Sequence, residues 1–408
     1  MPRFAYTIQD PQGQTRSGVL EAADESEAIS SLQGKGCFIL ALAADRGTGG
    51  RSSAGKARIA ASKVNPRDLI FFAEQLATLL NGGVPLVRAL SLLGEHSSSK
   101  GLHTALGQIT KDVAGGMALY KALEMHPRVF DTLWFSLVQA GEMGGQLPKV
   151  LKQISSYLIA QAELKAKIIT ALAYPAVLFT TSMGVLAFFI IKIVPVFAEI
   201  FTSFNVELPP LTRLIIFISN LFVHNAALIL LALIGSWFVW QAYTSTDAGK
   251  TSKWNLIFDI PFFGAFTKNI LIERLLTTLS TLIESGVSIV NAISVLERVF
   301  KDNIIFNTLL KSVKSDVAGG KSISGAFKKT DMLPPLVTEM VFMGEESGKL
   351  PEMLVTLSAF YREQIDQFTR RFTAIIDPIL VVFIGGVVGV IVLSIFLPIF
   401  KLSTIGAK

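Results

Sequence analysis

Val138-Gln139-Ala140-Gly141-Glu142-Met143-Gly144-Gly145-Gln146-Leu147-Pro148 decides how this chain is read, because it returns as Val341-Phe342-Met343-Gly344-Glu345-Glu346-Ser347-Gly348-Lys349-Leu350-Pro351. Gly141/Gly344, Glu142/Glu345, Gly145/Gly348, Leu147/Leu350 and Pro148/Pro351 match at one constant offset. The same offset pairs Gly83-Val84 with Gly286-Val287, Ala89 with Ala292, Pro175 with Pro378 and Pro195 with Pro398. A shift of one residue pairs Val113–Gly116 with Val317–Gly320. A collinear series of this kind reads as a duplicated unit: a polar-apolar helical region, then a membrane-length apolar run.

Composition agrees with a membrane protein. Apolar residues make up 51% of the 408 and charged ones only 17%, with a mean hydropathy of +0.52, too apolar for an ordinary soluble domain. The net charge of +6 comes without a basic run interleaved with aromatics, so no nucleic-acid partner is expected. Cys37 is the only cysteine, which excludes an internal disulfide and a cysteine metal cluster. Arg3, Asp10 and Arg16 interrupt the N-terminus, so it does not read as a signal peptide.

Residues 1–45 read as a small α+β module. Phe4, Tyr6 and Ile8 alternate as in a strand, Asp10-Pro11-Gln12-Gly13 is a turn, and Ser17–Ala22 returns as a second strand. Asp24 with Glu27 opens a helix, and Cys37–Ala41 fits a third strand. Residues 46–63, rich in Gly, Ser, Ala and basic side chains, read as a flexible linker. Residues 64–168 form a first helical bundle, with Leu69, Phe72, Leu76, Leu79 and Leu80 as its opening apolar stripe. Residues 244–373 form the second, carrying Leu275, Leu279, Leu282 and Ile289.

Three spans are expected, at 169–195, 214–243 and 377–400. Ile168–Ile191 carries no charge. Pro175 and Pro195 are 20 positions apart, as are Pro378 and Pro398, roughly 30 Å of helix and the thickness of the hydrocarbon core. Residues 196–213 read as an outer loop and 401–408 as a short tail. Lys165, Lys167, Lys250, Lys253, Arg370 and Arg371 flank the spans and place both bundles in the cytoplasm by the positive-inside rule. The expected fold is mostly α: a polytopic membrane protein with two repeated cytoplasmic bundles, three transmembrane helices and the N-terminal module.

No catalytic, cofactor or metal site is expected. Gly320-Lys321-Ser322 ends like a Walker A loop, but Ser315 stands where its first glycine belongs and the first copy reads Gly116-Met117-Ala118. His96, His103, His126 and His224 lack metal-ligand spacing. Gly141, Glu142, Gly145, Gly344, Glu345 and Gly348 are hinge or partner-contact candidates. On the bland reading each glutamate satisfies orphan amides of the helix that follows it, in which case glutamine replaces it at little cost. On the functional reading its charge contacts a partner. Gly385 and Gly389 form a small-xxx-small pair for helix packing, against this chain's own spans or against another helix.

The chain resembles the inner-membrane platform proteins of type II secretion systems and type IV pili, the GspF/PilC family. Phe71-x-x-Gln75-Leu76-x-x-Leu79-x-x-x-Gly83-Val84 and both Gly-Glu-x-x-Gly-x-Leu-Pro blocks carry the resemblance. So do Leu208-Pro209 with Thr212-Arg213, and Asp377-Pro378, Gly385-Gly386 and Leu397-Pro398-Ile399-Phe400. The resemblance implies a non-enzymatic homo-oligomeric platform in the inner membrane. Its partners would be a cytoplasmic hexameric assembly ATPase, pilin or pseudopilin transmembrane helices, other inner-membrane assembly proteins and the lipid bilayer. The alternative is a repeat-built transporter or channel, which fits poorly because the middle span is unpaired and the spans lack paired acids. Reporter enzymes active only outside the cytoplasm should work when fused at Asn205 or after Lys408 and stay silent at Lys314. Activity at Lys314 would overturn this topology.

Overall fold

The structure is a computed structural model describing residues 3–9, 15–22, 29, 38–45, 64–203, 210–330 and 332–405. The chain divides into two compact units, Met1–Ala60 and Ala61–Lys408. In the first, β1 (Arg3–Gln9), β2 (Thr15–Glu21) and β3 (Phe38–Asp45) form an antiparallel sheet of order β2-β1-β3. Tyr6 stands opposite Gly18 on one side and Leu42 on the other, with a register shift between Thr7 and Ile8. The expected Asp10–Gly13 turn, the Asp24 helix and the 46–63 linker lie outside the described residues.

The second unit opens with α1 (Pro66–Asn81), started by a proline in its first turn and by the Asn65 side chain, which accepts the Arg67 N–H. There follow α2 (Leu86–Glu95), α3 (Lys100–Ala114), α4 (Leu119–Glu124), α5 (Thr132–Met143) and α6 (Leu147–Phe188). The same order returns as α11 (Phe263–Glu284), α12 (Ile289–Val299), α13 (Ile304–Ala318), α14 (Ile323–Lys328), α15 (Pro335–Ser347) and α16 (Leu350–Ile405). Equivalent helices pack on equivalent neighbours: α1 on α6 as α11 on α16, α5 on α6 as α15 on α16. The two copies fill their cores differently. Phe72, Phe130 and Trp134 make an aromatic cluster with centroids 5.2–5.9 Å apart, and the buried counterparts are Leu275, Leu333 and Val337. Conversely, buried Phe306 and Phe327 replace Leu102 and Leu123, so bulk lost in one layer is regained in another.

Between the copies lie a π-helical turn (Phe189–Ile193), α7 (Val194–Ser203), α8 (Pro210–His224), α9 (Ala226–Ser245) and α10 (Asp247–Asp259). Helices long and apolar enough to cross a membrane occur within Leu147–Phe197, Ala227–Ser245 and Leu350–Ser394. The structure redraws several expected boundaries. No break separates bundle from span at 168, because α6 runs straight through. The stretch 214–243 is two helices rather than one, divided at Asn225, which leaves the helical backbone region at φ −108° and ψ 16° without a side-chain cap hydrogen bond. The stretch read as an outer loop is largely helical, in α7 and α8, and 204–209 lie outside the described residues. Thr212 donates to the Ser394 carbonyl at 2.8 Å and Ser219 to that of Ile190 in the π turn. Ile215 packs with Leu186, Val194 and Ile391, so α8 is tied to both long helices.

From Leu271 to Leu282 every residue of α11 except Arg274 is buried, because α16 covers one face and α6 of the first copy another. Its buried polar side chains find partners within the protein, apart from Glu273 Oε2, which has no hydrogen-bond partner among the described residues. Glu273, 0% exposed, accepts from Arg362 Nη2 at 2.7 Å and from Thr277 Oγ1 at 3.1 Å. At the constant offset, Ile70 and Ile159 hold these places in the first copy. Removing one partner leaves a buried charge, whereas replacing both with apolar groups can be neutral. Arg362→Ile should thus destabilise the detergent-solubilised protein by about 3 kcal/mol, and Glu273→Ile/Arg362→Ile should recover most of that loss in chemical unfolding. A double variant as unstable as the single would contradict this account.

Candidate functional site

The two Gly-Glu corners have the same construction. Gly141 lets α5 cross close to α6: a Cβ there would stand 2.9 Å from Val150 Cβ. At Gly344 it would stand 3.0 Å from the Leu350 Cα and 3.3 Å from Met353 Cβ. Gly145 and Gly348 take φ of +65° and +68° to reverse the chain. Leu147-Pro148 and Leu350-Pro351 then open the long helices, where a missing N–H is harmless.

The glutamates cap helices, but not those that follow them. Glu142 Oε1 and Oε2 accept from the N–H groups of Leu119 and Tyr120 at 2.8 and 3.1 Å. Glu345 does the same for Ile323 and Ser324, the latter at 2.9 Å, and also accepts from the Ser324 hydroxyl. The capped helices are α4 and α14, which precede the glutamates in the chain. The physical reason is supply: Ala118, at the α4 start, has no side-chain acceptor, while Ser322 Oγ serves a single backbone amide, that of Gly325, and the Ser324 hydroxyl. The corner brings a carboxylate over the amides that need one.

This geometry also corrects the expectation that glutamine would serve as well. Each carboxylate spends both oxygens on separate N–H groups, and an amide offers only one acceptor and turns its NH2 toward the second donor. In both corners the two carboxylate oxygens are engaged by helix N–H groups.

The other candidates are placed as follows. Lys321 lies after helix α13, not after a strand, and its Nζ donates to Asp316 Oδ1 at 2.7 Å. Hydrogen bonds from Lys321 and then Lys329 hold the Asp316 carboxyl below its ordinary range. His96 and His103 bond the carbonyls of Leu92 and Gly94 at 2.9 and 2.7 Å. No group of three or more His, Cys, Asp or Glu side chains among the described residues is placed to hold a metal ion. A Cβ built at Gly385 or at Gly389 meets no atom of the described residues within 4 Å. Between them Gly386 borders an apolar cleft of about 440 Å³ with Leu214, Phe383 and Val390.

A second feature was not legible in the sequence. A polar groove of about 630 Å³ runs between the copies, lined by Ser136, Gln139 and Met143 on one side and by Asn291, Ser294 and Arg298 on the other. Arg298 lies over the Phe135 ring at 5.9 Å. Only the packing of α5 on α12 creates it, and neither segment carries a motif.

Glu142→Gln and Glu345→Gln should each cost about 1–3 kcal/mol, the penalty of one unmatched buried donor. Chemical unfolding of the purified protein measures this, and unchanged midpoints in both variants would refute the two-oxygen cap.

Comparison with known proteins follows the same plan. The profile described as "Type II secretion system (T2SS), protein F" matches residues 72–195 and again 275–398, and that of the family's N-terminal domain matches 1–43. The chain is 33% identical to the type IV pilus assembly protein PilC of Thermus thermophilus over 405 residues, 98% of each chain. It is 30% identical to type II secretion system protein F of Pseudomonas aeruginosa over 403 residues, 99% of each. It is also 30% identical to PilC of that organism over 85% of this chain and 92% of the relative. A duplicated bundle, repeated corners and full-length matches to both kinds of relative place this chain in the type II secretion system protein F family.

Proposed function

We propose that this protein is the inner-membrane platform of a type II secretion or type IV pilus machine. In this reading it couples a cytoplasmic hexameric ATPase to the addition of pilin or pseudopilin subunits to a filament. One observation carries the mechanism: α6 and α16 each run unbroken from a glycine corner through a bundle into a membrane-crossing segment. A displacement of a bundle by the ATPase is thereby delivered to the bilayer by a single helix, whose ladder lacks only the N–H groups of prolines such as Pro175 and Pro378. The bundles lie in the cytoplasm, the N-terminus inside and the C-terminus outside, and the corners at Gly141–Gly145 and Gly344–Gly348 are where motion enters the rods. Open glycines at 385 and 389 suit the approach of a pilin helix. The platform performs no chemistry of its own, and Lys321, engaged by Asp316, supports that reading.

The transporter alternative is disfavoured by the lining of the cleft beside α8 and α16, where Ile190, Leu214, Ile215, Val382, Phe383 and Val390 offer no polar path. The test is mechanical. Inserting Gly-Pro between Ala162 and Glu163 should abolish filament assembly while membrane insertion and ATPase co-purification persist. Assembly at the unaltered level would sink the rod mechanism, and substrate-gradient flux in proteoliposomes would favour a transporter.

A further inference from the structure

Duplication gives each repeat two contact faces, and only one of each kind is used within the chain. The first repeat presents a face on α5 and α6. There the Tyr157 and Thr278 hydroxyls are 3.2 Å apart, and Ser285 donates to Gln153 Oε1 at 2.7 Å. The second repeat receives this face on α11 and α12. At the offset that pairs Gly141 with Gly344, the presenting face recurs on α15 and α16, and the receiving face recurs on α1 and α2. Within Ala61–Lys408, no described residue covers the exposed side chains of either recurrence.

Their side chains are apolar where solvent would favour polar ones. Gln139, Ala140 and Tyr157 of the used presenting face correspond to Phe342, Met343 and Phe360, which are 50, 62 and 44% exposed. Arg274 and Val295 of the used receiving face correspond to Phe71 and Leu92, 60 and 44% exposed. Phe71, Leu92, Phe342 and Met343 lie outside the three membrane-length helices, and Phe360 precedes the charged stretch Arg362, Glu363, Asp366, Arg370 and Arg371 that separates it from the apolar run of α16, so the hydrocarbon core does not cover them. Exposed apolar side chains gathered on one face mark an interaction surface.

We propose that the two unused faces bind each other between copies of this chain. The α15–α16 face of one copy sits on the α1–α2 face of the next, in the arrangement the repeats already hold inside one chain. A foreign protein would account for one face, whereas a second copy accounts for both, because each face is the counterpart of the other's partner. The membrane permits it. Each repeat leads at its C-terminal end into a membrane-length helix, and a second copy turned about the membrane normal keeps its own crossing helices in the same bilayer. The contact is head-to-tail and generates a ring where the turn closes. This inference rests on the duplication and not on the motor mechanism, so failure of either leaves the other standing.

Crosslinking tests it in the intact chain on a Cys37→Ser background. One tagged copy carries Gln75→Cys, the counterpart of Thr278, and a differently tagged copy carries Phe360→Cys, the counterpart of Tyr157. Co-expressed and treated in the membrane with a short bis-maleimide, because cysteines replacing a tyrosine–threonine contact stand too far apart for a direct disulfide, they should form a mixed dimer, and replacing Phe360→Cys by Lys301→Cys should not. In detergent, light scattering should give the unaltered protein a mass of several chains. Phe342→Glu/Phe360→Glu should fall to the 44.2 kDa of one chain with its helical content intact. A crosslink no stronger than the Lys301→Cys control, a monomeric unaltered protein, a double variant of unaltered mass, or a Phe360→Cys link only to a different protein would overturn the proposal.

Discussion

A short helix buried in a bundle cannot satisfy its own first N–H groups, and α4 and α14 are too short to spread that cost. In this protein the acceptor arrives from the next helix, as the carboxylate of Glu142 or Glu345. Much else follows from that placement. The carboxylate reaches the amides only because Gly141 and Gly344 let the corner helices touch the long ones. The corner in turn fixes where α6 and α16 start, and those helices carry the chain into the membrane. One capping interaction thus sets the relation between bundle and bilayer in both repeats.

The repeats diverge where their surroundings differ. α1 keeps one face open, and its counterpart α11 is enclosed. Enclosure explains why α11 carries the Glu273–Arg362 pair, whose counterparts in the first repeat are the isoleucines 70 and 159. A buried pair is weak support for stability but fixes which neighbours are accepted. The exchange of aromatic for aliphatic core layers shows the same freedom: packing volume is kept while the residues that supply it move.

The duplication, the crossing segments and the glycine corners were legible because each is written locally, in spacing, hydropathy or residue type. What the glutamates touch was not. Glu142 lies far along the chain from Leu119, and a sequence shows which groups need partners without showing which come together. The break at Asn225 leaves a partial trace, since Asn220, His224 and Asn225 are polar residues in a largely apolar run. The groove between the copies left no trace, because Arg298 and Gln139 look like ordinary helix-surface residues until α12 meets α5.

Hydrogen exchange at four amides tests the central interaction most directly. N–H groups in the first turn of a helix ordinarily exchange fast, having no partner within the helix. With carboxylate caps, the amides of Leu119, Tyr120, Ile323 and Ser324 should exchange as slowly as the bundle core, and Glu142→Ala should release the first two while leaving the second pair protected. Fast exchange at all four in the unaltered protein would mean that the carboxylates do not hold these helix starts, and the account of both corners would fail.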